Sequence, residues 1–335
     1  MAFKVVRTSP PLREVPYWDE LMAKIGAEFI KEHCPTEDQI KALAKDADAV
    51  ISLFEPFTKK VIDSLPKLRL ISQIGIGYDL VDVDAATEAG VIVANTPDYC
   101  LEEVSDHTMA LLLACARKIT RINNVVKQGQ WYEGRVFTSP QFKLRGQTLG
   151  LAGFGQIART VVRKAQGFGL RVIAYDPYVS EASAQGHYVE LVDLDTLLQE
   201  SDYVSVHAPL TKENRHMFAL DQFKKMKPTA FFINTARGGL VDEQALYSAI
   251  TEGYIAGAAL DVLETEPPAP DNPLLKLDSI IITAHTAQAS DTAMTELMRR
   301  PGEEVVRVLE GQWPRGFVNP QVKEKYVQKF GPMKG

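Results

Sequence analysis

Thr148-Leu-Gly-Leu-Ala-Gly153-Phe-Gly155-Gln-Ile-Ala158 runs from an apolar strand into a helix-period segment that continues to about Gln166. The turn between them has glycine at two fixed places and a small residue at a third. Gly153 permits a tight reversal, Gly155 lets another group approach the backbone, and Ala158 lets helix and strand pack closely. A helix that begins in such a turn offers free N–H groups and the positive end of its dipole to a phosphate. The amides of Gln156 and Ile157 fall where those contacts would be made. G-x-G-x-x-G/A in a strand–turn–helix setting is the fingerprint of a dinucleotide-binding unit. Alone it marks a dinucleotide-like ligand and no reaction, because flavin and S-adenosylmethionine proteins use similar turns.

The next strand, Arg171–Tyr175, ends in Asp176, 21 residues after Gly155. A carboxylate at about that distance accepts hydrogen bonds from the adenosine ribose hydroxyls. Pro177-Tyr178-Val179 contains no arginine to hold a 2′-phosphate, so the reading favours NAD over NADP. Asp176 also has a plain structural reading as a helix cap.

Outward from this turn, short apolar runs alternate with helix-period segments. The strands read as Asp48–Leu53, Leu70–Ile74, Val91–Val93, Thr148–Gly153, Arg171–Tyr175, Tyr203–Val206, Ala230–Ile233, Ala256–Leu260 and Ser279–Ile282. Helices read as Glu37–Lys45, Ala158–Gln166, Leu194–Glu200 and Glu243–Glu252. This alternation predicts an α/β fold with parallel sheets covered on both faces. Glu103–Gly129 breaks the rhythm and reads as one long helix, a natural passage between domains. A last long helix is expected over about Ser290–Glu310, followed by an irregular tail.

A length of 335 residues fits about two domains. The net charge of −6 speaks against nucleic-acid or anionic-membrane partners. Met1–Arg7 has no signal-peptide pattern, and no apolar run is long enough to span a bilayer. Three cysteines (Cys34, Cys100 and Cys115), none in C-x-x-C spacing, predict a reducing, cytoplasmic setting with neither a disulfide framework nor a metal site.

Three further motifs each fall at a strand's carboxyl end, where open α/β sheets bind ligands. They are Ile233-Asn-Thr-Ala-Arg237-Gly-Gly-Leu-Val-Asp242-Glu243, then Gly257-Ala-Ala-Leu-Asp261-Val-Leu-Glu264-Thr-Glu266-Pro267-Pro268, then Ile282-Thr-Ala-His285-Thr-Ala-Gln288. With Gly75-Ile-Gly77-Tyr-Asp79 and Asn95-Thr-Pro97, they make nearly the whole chain resemble the D-isomer-specific 2-hydroxyacid dehydrogenase family.

The resemblance implies two Rossmann-like domains, with residues 1–99 and 291–335 forming the substrate domain. An NAD domain over 100–290 would be inserted, the active site lying in the cleft. It implies hydride transfer between NADH and a small 2-oxo acid. Arg237 would bind the substrate carboxylate and carbonyl through its planar, always-charged fork. His285 would be the acid/base, because imidazole titrates near operating pH. Glu266 would hold the ring and favour its charged form. Glu264 stands two residues away as a rival, but the family's acid directly precedes proline, as Glu266 does. Of six histidines, His285 alone follows the terminal strand.

The resemblance also places Asp261 near the nicotinamide carboxamide and makes Thr235 and Ala236 a cofactor-contacting pair. His207, Ala208, Pro209 and Thr211 would cover the adenine side, and Gly153, Gly155, Gln156, Ile157 and Asp176 the rest of the cofactor. Gly75, Ile76 and Gly77 would present backbone N–H groups to the substrate carboxylate, with Gln73 beside them. Homodimers packed through the NAD domains are implied, with contacts over about Glu103–Arg145, including Trp131 and Tyr132. No appended regulatory domain is expected.

The chain departs from the pattern of the family it resembles in places. Ala284 stands where the family usually has proline before the histidine. Ile51-Ser52-Leu53-Phe54-Glu55 lacks the arginine of glycerate-3-phosphate members, which disfavours a phosphorylated substrate. Phosphite dehydrogenases carry a lysine where Ile76 stands. The C-terminal binding proteins, which are corepressors, carry arginine at the place of Gln73 and tryptophan at that of Gln288. Phe54, Gln73, Ile76, Tyr99 and Gln288 together fit a modest, uncharged substituent. Two readings follow: an enzyme acting on a small 2-oxo or 2-hydroxy acid, and an NADH-sensing dimeric scaffold. Arg237, Glu266 and His285 favour the enzyme, since a scaffold needs no proton donor.

Overall fold

A computed structural model describes residues 2–10, 16–137 and 139–334. The chain divides into two compact units, Met1–Tyr99 with Ser290–Gly335, and Cys100–Ala289.

The first unit holds five parallel strands: β1 (Lys4–Arg7), β2 (Glu28–Lys31), β3 (Ala49–Ser52), β4 (Leu70–Gln73) and β5 (Ile92–Ala94). Their order is β2-β1-β3-β4-β5, one of the common doubly wound orders. Every residue of β3, β4 and β5 is buried. Alternate side chains therefore feed two cores. Val5, Ile51, Leu70 and Ile92 meet Trp18, Met22 and Val305 on one face. Val6, Val50, Ile71 and Val93 meet Ile40, Phe57 and Val61 on the other. Covering both faces is what lets these strands be apolar throughout.

β1 and β2 were not among the strands read from the sequence. Each is four residues long with a polar residue at both ends, and β2 lies on the sheet edge, so neither offers a long apolar run. The tail also departs from expectation. Lys323–Phe330 is a helix whose Tyr326 is buried in the first core, its ring 5.1 Å from that of Phe330. The lysines that made this stretch read as irregular stand around one apolar anchor.

The second unit holds β6 (Thr148–Ala152), β7 (Arg171–Tyr175), β8 (Glu190–Leu191), β9 (Tyr203–Val206), β10 (Phe231–Asn234), β11 (Gly257–Leu260) and β12 (Ile280–Ile282). The order is β12-β11-β10-β9-β6-β7-β8, all parallel. The chain thus winds outward from β6 in both directions, and the switch point of the sheet lies beside the glycine turn. The helices Leu101–Arg117 and Gln156–Gly167 bring Met109, Leu112, Val161 and Val162 onto one face. Leu197, Phe223 and Leu246 cover the other.

The single helix expected over Glu103–Gly129 is two. Lys118 adopts φ +52°, ending Leu101–Arg117 and opening Ile119–Lys127. The apolar period continues across this break, which is why it was invisible in the pattern. None of the second helix's residues is buried. Ile122 and Val126 instead lie beside Gly134 in the short helix Trp131–Val136. Among the described residues no helix is long and apolar enough to cross a membrane.

Candidate active site

The carboxyl ends of β6, β7, β9, β10, β11 and β12 carry every candidate residue of the second unit. After β6, Gly153 adopts φ +97°, and a Cβ there would lie 2.6 Å from the Ala208 nitrogen. Only glycine lets the His207–Ala208 loop rest on this turn. The helix Gln156–Gly167 begins at Gly155 with no side chain capping it, leaving its first N–H groups to an external acceptor. Asp176 bridges the turn and the next loop: Oδ2 accepts from Phe154 N–H at 2.8 Å and Oδ1 from Tyr178 N–H at 2.9 Å. A carboxylate has about four acceptor sites, so capacity remains for ribose hydroxyls. The uncapped helix, the crowded glycine and the anchored carboxylate fit a dinucleotide.

After β9, the partly accessible His207 has a deeply set ring that contacts Ser205 Oγ through Nε2 at 2.9 Å. Burial pushes its imidazole down to about 4. Pro209 and Thr211 are organised by Asn214, whose Nδ2 donates to Pro209 O and whose Oδ1 accepts from Thr211 N–H, both at 2.7 Å.

After β10, the fully buried Asn234 shapes the arginine loop. Its Nδ2 donates to Arg237 O at 2.9 Å, and its Oδ1 accepts from Ala236 N–H at 3.0 Å. The half-buried Arg237 donates through Nη1 to Ala236 O at 2.8 Å. Thr235 Oγ1 is 3.0 Å from Thr108 Oγ1, both buried. A Cβ on Gly238 would lie 2.0 Å from the Leu263 carbonyl carbon, so glycine is what lets the arginine loop pack on the loop after β11.

That loop carries the two rival acids, and they take different partners. Glu264 Oε1 lies 2.5 Å from His216 Nε2 and 3.4 Å from Arg215 Nη2. Glu266 Oε2 accepts from His285 Nδ1 at 2.7 Å, while its Oε1 accepts from Leu263 N–H at 2.9 Å. Burial opposes ionisation of Glu266. The bonds from His285 and Leu263, with the charge of Arg237, nevertheless hold its carboxyl below its ordinary value.

His285 sits at φ +51°, a conformation that costs a non-glycine residue about 1–2 kcal/mol. The surroundings enforce it. Its N–H donates to Asp261 O at 2.8 Å, and Gln288 Nε2 donates to its carbonyl at 3.1 Å. The buried Asp261 carboxylate accepts from Thr283 Oγ1 at 2.5 Å, Thr286 N–H at 2.9 Å and Ala287 N–H at 2.9 Å. The reading of Asp261 as a cofactor contact missed this function in the fold: it ties down the loop that carries His285. His107 Nε2 lies 2.9 Å from Thr283 Oγ1 and extends the network. No sequence signal marks that pair, since 176 residues separate the two.

In the first unit, Gln73 ends β4 and Gly75, Ile76 and Gly77 form the loop after it. The Gly75 and Ile76 carbonyls accept from Thr96 N–H and Asn95 Nδ2. Among the described residues, Gln73 Nε2 and Thr96 Oγ1 are buried without a hydrogen-bond partner.

Residues 109–287 match the model for the D-isomer specific 2-hydroxyacid dehydrogenase, NAD binding domain. The chain is 41% identical over 320 residues to the glyoxylate reductase of Korarchaeum cryptofilum, covering 92% of this chain and 95% of that protein. It is 40% identical over 300 residues to the D-3-phosphoglycerate dehydrogenase of Methanocaldococcus jannaschii, covering 89% of this chain but 56% of that protein. Among solved structures it is similar to D-lactate dehydrogenase from Aquifex aeolicus complexed with NAD and lactic acid. The TM-score is 0.79 at 28% identity, covering 97% of both chains. The chain belongs to the D-isomer-specific 2-hydroxyacid dehydrogenase family and is an NAD-dependent oxidoreductase.

Proposed function

With family membership as the premise, we propose that this enzyme interconverts a small, unphosphorylated 2-oxo acid and its D-2-hydroxy acid, with glyoxylate, hydroxypyruvate and pyruvate as the first candidates. The observation that carries the reading is the 2.7 Å contact between His285 Nδ1 and Glu266 Oε2. A carboxylate can only accept, so Nδ1 carries the donated hydrogen. Nε2 is then the ring atom left to give a proton to the carbonyl oxygen, or to take one from the hydroxyl in the oxidative direction. Glu266, itself held by Leu263, orients the ring. Arg237 supplies a planar cation for the substrate carboxylate and carbonyl. NADH when bound supplies the hydride.

Cofactor contacts are assigned to Gly153, Gly155, Gln156, Ile157, Asp176, His207, Ala208, Pro209, Thr211, Thr235, Ala236 and Asp261, with NADP disfavoured by Asp176. Carboxylate contacts in the first unit are assigned to Gly75, Ile76 and Gly77, with Gln73 beside them. The lack of a cation in residues 51–55 supports an unphosphorylated substrate. A homodimer through the second unit is supported by Trp131 at 63% exposure and Tyr132 at 77%, near exposed Ile119, Val136 and Phe142. Large apolar side chains clustered in one exposed segment mark an interaction surface. A cytoplasmic setting completes the proposal.

The test is reduced-nicotinamide consumption against a panel of 2-oxo acids, run with NADH and with NADPH. Strong turnover of one unphosphorylated acid with NADH is the expected result. Silence across the panel, with NADH bound tightly, would replace this reading by that of an NADH-sensing scaffold.

A further inference from the structure

At the carboxyl ends of β4 and β5, two adjacent residues hold two adjacent carbonyls. Thr96 N–H donates to Gly75 O at 2.9 Å, and Asn95 Nδ2 donates to Ile76 O at 2.7 Å. Asn95 is 9% exposed, and its own N–H donates to Gly316 O at 2.9 Å. Its side chain therefore reaches the loop from an anchored backbone.

Both peptide bonds of the held carbonyls are trans. In a trans peptide the C=O and the following N–H point opposite ways across one plane. Tying Gly75 O and Ile76 O to residues 95 and 96 therefore turns the N–H groups of Ile76 and Gly77 away from them, to a common side. Among the described residues neither N–H has an internal partner. Successive N–H groups aimed together form an anion-binding concavity. Gly75, at φ +135°, takes a conformation that side chains rarely adopt, which gives the loop its starting direction. Nothing among these contacts except the Asn95 amide holds the second of the two peptide planes.

We propose that Asn95 is a positioning residue for substrate: it clamps the Ile76–Gly77 peptide so that two N–H groups face the carboxylate together. This rests on the reading that the loop takes the carboxylate of a 2-oxo acid. Asn95→Asp keeps the size of the side chain and places an acceptor against the Ile76 carbonyl. Repulsion then frees the plane to rotate and withdraws the Gly77 donor.

The test uses full-length Asn95→Asp, with Asn95→Ser as the second variant should the first fail to fold. Loss of one donor to a charged group corresponds to a KM for glyoxylate raised about tenfold or more. Saturating kcat and the NADH dissociation constant should stay within about twofold, and the KM for the uncharged methyl ester of glyoxylate should not move. Amide hydrogen exchange at residues 76–77 of the ligand-free protein should speed up in the variant. Equal rises for acid and ester, a fall in kcat at unchanged KM, or unchanged exchange would each overturn the proposal. If the unaltered enzyme turns over no 2-oxo acid, the functional reading fails separately, and the exchange measurement still decides whether Asn95 holds the loop.

Discussion

Asp261→Asn is the sharpest perturbation of the proposed chemistry, because it changes neither size nor any proposed catalytic side chain. The carboxylate accepts from Thr283, Thr286 and Ala287, and is 2% exposed. Whichever way the new amide turns, its NH2 group must face at least one backbone N–H, that of Thr286 or of Ala287. A hydrogen bond to a charged group contributes about 1.5–3 kcal/mol, and a buried donor left unmatched costs about 1–3 more. The loss is thus about 2.5–6 kcal/mol, set against the ~1–2 kcal/mol that the left-handed backbone of His285 requires. The balance tips toward a relaxed loop in which the histidine leaves its position beside Glu266. At 1.36 kcal/mol per tenfold, the low end of that loss already lowers kcat about a hundredfold. Stopped-flow single turnover with NADH and the best 2-oxo acid reads this directly, and fluorescence titration gives NADH affinity on the same sample. The expected pattern is a fall in the chemical step that is much larger than any loss of NADH affinity. A variant with kcat within about threefold of the parent and much weaker NADH binding would refute the loop argument and assign Asp261 to the cofactor alone.

Three further outcomes follow from the same geometry. His285→Asn should lower turnover by about 10²–10⁴-fold, the usual contribution of a positioned acid/base, while NADH titration is unaffected; retained turnover would remove His285 as donor. Asp176→Ala should narrow the preference for NADH over NADPH, measured as the ratio of kcat/KM values, since it removes the carboxylate that would repel a 2′-phosphate; an unchanged ratio would place cofactor choice elsewhere. His207 should make the fold acid-sensitive. Its folded value of about 4 lies below the unfolded 6.5, so protonation favours the unfolded chain. Its stabilising contribution is complete above about pH 6.5 and lost as pH falls toward 4, at about 1–3 kcal/mol given the residue's partial exposure. Urea midpoints for the parent and His207→Gln should converge across that window; parallel curves would show that the ring titrates normally.

The sequence by itself determined the elements whose signals are local. Alternation of apolar runs and helical periods is written within a few residues, so the parallel α/β class and nearly all the strands of the second unit were legible. So was the glycine turn, because a tight reversal demands glycine wherever it occurs. The catalytic candidates were legible too, each lying at a strand end beside an ordered motif, though their assignment leaned on resemblance. Only the tertiary structure decided which histidine each acid touches: Glu264 takes His216 and Glu266 takes His285. Only it showed that Asp261 binds the His285 loop, that Asn95 grips the Ile76 carbonyl, and that His107 reaches Thr283. Each is a hydrogen bond between residues far apart in the chain, and such a bond leaves no periodic trace in the sequence because its energy depends on distance and angle in space. The break at Lys118 belongs with them: a single backbone angle ended a helix whose apolar pattern ran on unchanged.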